Sequence, residues 1–208
     1  INSNMKKILK IIAIIPARGG SKGIHKKNIK KLVGKPLISY TLSEVKKSKF
    51  ISKIIVSTDS KQIEKIAKNL GSETIIRPKK LAQDNSSSLD VVQHVIKNLE
   101  PLNYFDIVIV LQPTSPLRTA ADLTNAWGLY QNKKRSVVSV CKYETPVQLA
   151  HFVNKNGELE PFFPFDYKMT TRSYGPQQSY RFNGGIVFNS AQQLLKQSNL
   201  IGISPFPY

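Results

Sequence analysis

Arg18, Ser21, Lys22 and Lys27, interleaved with Gly19, Gly20 and Gly23, are residue types that can hold phosphate, and they follow directly on the apolar run Ile8 to Ile15. Glycines let backbone N–H groups converge on an anion because they tolerate positive φ, while arginine and lysine supply the charge. The stretch from Ala13 to Asn28 therefore reads as a buried strand ending in a cationic phosphate cradle; the alternative is a solvated basic turn. It is neither standard glycine loop. Walker A requires Gly-Lys-Ser/Thr after four intervening residues and the dinucleotide fingerprint requires G-x-G-x-x-G, and the chain contains neither.

Three further polar clusters follow strand-like runs. Ile54 to Val56 leads into Ser57-Thr58-Asp59-Ser60, where Asp59 reads as a helix N-cap with Gln62 completing a capping box. Thr74 to Ile76 leads into Arg77-Pro78 and then the loop Asp84 to Ser88, and Ile107 to Leu111 stops at Gln112-Pro113-Thr114-Ser115-Pro116-Leu117-Arg118. The last run has the continuous apolar pattern of a central strand buried on both faces. Helical spacing falls between them: Leu37, Ile38, Leu42 and Val45; Ile63, Ile66, Ala67 and Leu70; Leu89, Val92, Ile96 and Leu99; and Leu123, Ala126, Trp127 and Tyr130, with Trp127 read as core packing. A strand from Val137 to Cys141 comes next.

Strands alternating with helices predict an α/β fold, a doubly wound and mostly parallel sheet. In such sheets ligands bind beyond the carboxyl ends of the strands, which is where the Arg18 loop, Arg77 with its serines, and Gln112 to Arg118 fall. From Tyr143 to Tyr180 the periodicity is lost. Four prolines, the turn Asn154-Lys155-Asn156-Gly157 and Phe152, Phe162, Phe163 and Phe165 predict an inserted hairpin and irregular arm over 143–180 that packs on a second subunit, because exposed aromatics are costly in a monomer. Burial under the chain's own sheet is the alternative. Arg181 to Phe188 returns to a strand, and Ala191 to Leu195 begin a last helix.

With 208 residues and 40% hydrophobic content the chain suits one α/β domain, 1–208. Residues 1–4, ahead of Met5, read as a cloning remnant. No apolar run is long enough for a membrane span, and no signal peptide is visible. The lone Cys141 reads as a structural thiol and fits a reducing cytoplasm. A net charge of +18 would suit a nucleic-acid binder, yet the lysines are dispersed and no zinc-finger spacing or RNA-binding signature accompanies them, so no nucleic-acid partner is expected. His25, His94 and His151 have no spacing that suggests a metal site or a triad, and His94 reads as structural.

Taken together, ARGGSKG with KKN, GKPLISYT, VSTDS, RP followed by LAQDNSSS, LQPTSPLR and RFNGG resemble the acylneuraminate cytidylyltransferases, the CMP-sialic acid synthetases, from about Ile8 to Phe188. The resemblance implies a Rossmann-like fold of the nucleotide-diphospho-sugar transferase type. It implies that CTP and an acidic nine-carbon sugar give CMP-sugar and pyrophosphate. The sugar stays open among N-acetylneuraminic, legionaminic and pseudaminic acid, and a CMP-Kdo synthetase ranks lower. By matching position, Arg18, Gly20, Ser21 and Lys22 with Lys27 would hold the triphosphate. Asn28, Arg77 and Ser88 would form the nucleoside side. Gln112, Asn183 and Gly184, with Arg172 or Arg181 for the carboxylate, would form the sugar side. Arg18, Lys27 and Gln112 are the residues expected to act in catalysis. The family also implies a homodimer and Mg2+, whose aspartate ligands are expected beyond Tyr208, with none in the residues present. The other readings are an inactive nucleotide-binding protein and a basic nucleic-acid binder.

Overall fold

In a computed structural model of the protein, residues 8–99, 101, 104–164 and 178–208 are described. In chain order the strands are β1 (Ile11–Pro16), β2 (Lys31–Leu32), β3 (Lys35–Pro36), β4 (Lys53–Thr58), β5 (Glu73–Ile76), β6 (Ile107–Val110), β7 (Val137–Lys142), β8 (His151–Val153), β9 (Leu159–Pro161), β10 (Tyr180–Ser190) and β11 (Phe206–Pro207). The α-helices are α1 (Leu37–Lys47), α2 (Lys61–Asn69), α3 (Ser88–Lys97), α4 (Ala120–Lys133) and α5 (Ala191–Lys196).

Seven strands form one sheet in the order β11-β7-β10-β6-β1-β4-β5. β1 pairs in parallel with β4 and with β6, and β4 with β5, so four carboxyl ends lie along one edge. β10 runs antiparallel to β6, with Val187 opposite Val110. The sheet is therefore mostly parallel, as the alternation of strands and helices predicts. The chain leaves β1 toward β4 and β5 on one side and returns as β6 on the other, a strand-order switch of the kind at which such sheets bind ligands.

The apolar runs explain the core. Every residue from Ile11 to Ile15 and from Ile107 to Leu111 is buried, as strands covered on both faces require. Ile8 stays exposed, so the first strand begins later than its apolar run. α1 buries Ile38, Thr41, Leu42 and Val45, with Pro36 at its N-cap. α4 runs past Tyr130 to Lys133 and ends on Lys134 in the left-handed region, φ 54°. Its start carries a capping box between Thr119 and Asp122. Trp127 packs where the sequence predicts, its ring stacked with those of Phe50 and Tyr130 at 5.7 Å each and of Phe188 at 6.0 Å.

The chain divides into two compact units, Ile1–Ser139 with Gly184–Tyr208, and Val140–Asn183. The second unit contains the β8–β9 hairpin, paired with Phe152 opposite Glu160. The Asn154 side chain builds its turn by accepting from Asn156 N–H at 2.9 Å and Glu158 N–H at 3.0 Å, and Gly157 takes φ 85°. The Phe152 and Phe162 rings lie 5.2 Å apart, and Phe152, Phe162 and Phe163 are exposed. Phe165 lies outside the described residues. No helix among the described residues is long and apolar enough to cross a membrane.

Candidate functional site

The cationic loop leaves β1 at Pro16, and Ala17 N–H still bonds Ser57 O at 2.9 Å, so the start of the loop is tied to β4. Gly19 N–H then donates to Asp59 Oδ1 at 2.8 Å. Asp59 is therefore not the helix cap that its place in the sequence predicts: the next residue, Ser60, caps α2 by accepting from Ile63 N–H, leaving Asp59 to anchor the loop. Gly19 is required for another reason than backbone freedom, since a Cβ there would stand 2.9 Å from Ser60 Cβ. None of Gly19, Gly20 and Gly23 has positive φ; the left-handed residue of the loop is Lys26, φ 49°. A short 3₁₀ turn, Lys27–Ile29, follows. Within it the buried Asn28 donates from Nδ2 to Arg18 O at 2.9 Å, closing the loop on itself.

One cavity of about 170 Å³ opens at this sheet edge. Among its lining residues are Arg18, Ser21, Lys27, Asn28, Arg77, Ser88 and Gln112, which come from the ends of β1, β5 and β6 and the start of α3. Gly20 and Lys22 lie on the loop outside that lining. Gly20 has open space where a Cβ would stand.

Arg77 is buried, donating from Nη1 to Leu81 O at 3.2 Å and from Nη2 to Ser57 O. Its Nε has no partner among the described residues. Burial pushes its guanidinium down to about 10; the Asp59 carboxylate opposes that shift and the Arg18 charge adds to it. Ser88 opens α3, whose cap is Ser87.

The acidic partner of the cradle is Asp84, which the sequence places in a polar loop and does not tie to the cations. Its Oδ1 lies 2.6 Å from Arg18 Nη2 and its Oδ2 2.9 Å from Lys22 Nζ. The Lys22 ammonium, and after it Arg18, holds the Asp84 carboxyl below its ordinary range. One carboxylate thus bridges two of the cations that the cradle presents.

Gln112 sits at the end of β6, its Oε1 accepting from Thr114 Oγ1 at 3.3 Å. It passes across Gly184, where φ is 71° and a Cβ would stand 2.9 Å from Gln112 Oε1. Arg118, which the sequence puts among the polar residues of this edge, is buried and outside the cavity lining. Its Nη1 donates to Gln112 O at 3.3 Å and to Gly185 O, and its Nη2 to Thr41 Oγ1 at 2.8 Å. Burial drives its guanidinium down to about 10, against the pull of the Asp122 charge. No side-chain pattern in the sequence marks Thr41 as the partner of a residue 77 positions away.

Of the other sugar-side candidates, Arg172 lies outside the described residues. Arg181 and Asn183 belong to the second unit, where the Arg181 carbonyl lies 3.9 Å from Cys141 Sγ. His94 packs in α3 with its Nδ1 buried and unpartnered among the described residues. Among the described residues no group of three or more His, Cys, Asp and Glu could hold a metal ion.

The sequence matches the cytidylyltransferase family over residues 12–194. It is 37% identical over 195 residues to an N-acylneuraminate cytidylyltransferase of Escherichia coli O18:K1:H7, covering 93% of this chain and 45% of that protein. It is 33% identical over 192 residues to a pseudaminic acid cytidylyltransferase of Campylobacter jejuni serotype O:2, covering 91% of this chain and 82% of that one. This chain therefore spans less than half the length of the first relative and most of the second. A solved CMP:2-keto-3-deoxy-manno-octonic acid synthetase complexed with CTP superposes with a TM-score of 0.67 at 19% identity, over 94% of this chain and 79% of that one, a likeness of fold.

Proposed function

This chain belongs to the cytidylyltransferase family, and from that premise we propose that it transfers a cytidylyl group from CTP to an acidic nonulosonic sugar of the N-acetylneuraminic, legionaminic or pseudaminic type. The observation that carries the reading is the single cavity shared by Arg18, Lys27, Arg77 and Gln112 at the carboxyl ends of three parallel strands.

In the proposed reaction the anomeric hydroxyl of the sugar attacks the α-phosphorus. A new sugar O–P bond forms in line with the breaking bond, pyrophosphate leaves with that electron pair, and the hydroxyl proton passes to solvent. Such a step asks the protein chiefly to position reactants and to offset charge. Arg18, Lys22 and Lys27, with the backbone around Gly20 and Ser21, would receive the triphosphate. Asn28, Arg77 and Ser88 would face the nucleoside. Gln112 and Gly184 would form the near wall of the sugar pocket, with Arg172, Arg181 and Asn183 assigned to the sugar by the family resemblance. Mg2+ belongs to the proposal as the counter-ion of CTP. The described residues hold no acidic cluster that fits it, so no step is drawn through it. A homodimer joined through the exposed Phe152, Phe162 and Phe163 of the second unit and residence in the cytoplasm complete the reading.

Pyrophosphate release from CTP and Mg2+, assayed against a panel of nonulosonic acids and Kdo, tests it. At least one nine-carbon acid should react, and Arg18→Ala and Lys27→Ala should abolish turnover while leaving the circular dichroism spectrum unchanged. Folded wild-type protein that reacts with none of the panel would overturn the reading. Sedimentation equilibrium tests the dimer, with a monomer as the contrary result.

A further inference from the structure

We infer that Arg118 is a positioning residue for Gln112, holding the Gln112 amide at the cavity wall without touching substrate. The inference rests on the proposed reading of the cavity only for its kinetic consequence; the positioning itself stands on geometry. One buried guanidinium joins three elements: the end of β6 through Gln112 O, β10 through Gly185 O, and α1 through Thr41 Oγ1. The segment that carries it is clasped from the same helix, because Glu44 Oε2 accepts from Ala120 N–H at 2.9 Å.

A buried cation without a hydrogen-bonded carboxylate is costly, and an apolar side chain would fill the same volume more favourably. Oxygens alone hold Arg118, two of them main-chain carbonyls on either side of the Gln112–Gly184 contact. The distance between β6 and β10 at this point decides where the amide lies. A Cβ at Gly184 would stand 2.9 Å from Gln112 Oε1, so the amide lies in space that a side chain at this position would take. If the strands part, the amide loses its wall; if they close, it is forced out. Only a planar fork can span three such acceptors, and the single ammonium of lysine cannot.

The test compares wild type with Arg118→Lys, reading steady-state kinetics and the side-chain amide resonance of Gln112 in 15N-labelled protein. In the variant the Gln112 resonance should move to the position of a free amide while the resonances of Ser21 and Asn28 still shift with CTP. The KM for the accepted sugar acid should rise about tenfold or more, since misplacement by an ångström costs up to about a hundredfold, with the KM for CTP changed less than about twofold on the same argument. A role confined to stability would lower the melting temperature and leave the Gln112 resonance and the KM split unmoved, which overturns the inference. So would an equal loss for both substrates. Should Arg118→Lys fail to fold, Thr41→Val removes one acceptor of the fork and should move the same two readouts in the same direction by less, with Thr41→Ser restoring them. If wild type turns over no sugar acid, that result counts against the proposed function alone, and the Gln112 resonance decides the positioning role.

Discussion

Replacing Gly184 by alanine perturbs the backbone and the Gln112 contact together. At φ 71° an L-residue carries about 1–2 kcal/mol of left-handed strain. The added Cβ would lie 2.9 Å from Gln112 Oε1 and 3.1 Å from its Cδ, so the amide must rotate away, at about 0.5–1.5 kcal/mol for an off-rotamer side chain. The sum, about 1.5–3.5 kcal/mol, corresponds to a fall in melting temperature of about 3–14 °C for a chain of this length. Thermal unfolding by circular dichroism reads the total, and a double-mutant cycle separates the parts. With Gln112→Ala in place the clash is gone and only the backbone strain remains, so Gly184→Ala should then cost about 0.5–1.5 kcal/mol less than it does alone. Gly184→Ala as stable as wild type, or a strictly additive cycle, would refute the Gln112–Gly184 contact on which the proposed sugar pocket rests.

Three other perturbations follow from the same geometry. Asp84→Asn removes the carboxylate that neutralises Arg18 and Lys22, so it should tighten binding of inorganic pyrophosphate several-fold in low-salt calorimetry, and the gain should fade at about 1 M salt, where charges are screened within about 3 Å; weaker binding would mean that Asp84 orients Arg18 rather than competing with the ligand. His94 is held below its ordinary value by burial and then by the charges of Arg77 and Lys80. The unfolded chain therefore takes up this proton at higher pH than the folded one, and stability that is full above about pH 6.5 should decline on acidification below it; His94→Gln should flatten that limb of a denaturant-midpoint profile, and an unchanged slope would contradict the assignment. Val33 and Gly34 connect β2 to β3 with φ values of 44° and 81°, the two positive angles of a type I′ turn. Since Val33 is exposed, Val33→Asn should relieve about 1 kcal/mol and raise the melting temperature by about 2–4 °C.

Short-range chemistry was legible in the residues, and long-range pairing was not. The β-branched runs at 54–56 and 107–110 suit the middle of a sheet, and strand ends followed by polar clusters mark the edge at which the cavity opens. Arg18, Ser21, Lys27, Asn28, Arg77, Ser88 and Gln112 accordingly share one cavity lining. Asp59 and Ser60 both cap helices well, and only the approach of Gly19, forty residues earlier, decides which of them does. Asp84 reads as a loop residue until folding brings two cations to it. Arg118 reads as part of the polar cluster that follows the central strand, and its burial depends on carbonyls from β6 and β10 and a hydroxyl from α1. The glycines of the loop suggested positive φ, whereas Gly19 answers a steric demand from Ser60.

The central claim is that this cavity is built for CTP. Calorimetric titration of the protein with CTP, UTP, ATP and GTP in the presence of Mg2+ tests it most directly. The account predicts that CTP binds most tightly and that Arg18→Ala, still folded, loses that binding. Equal affinity for the four nucleotides, or CTP binding undiminished in Arg18→Ala, would contradict it.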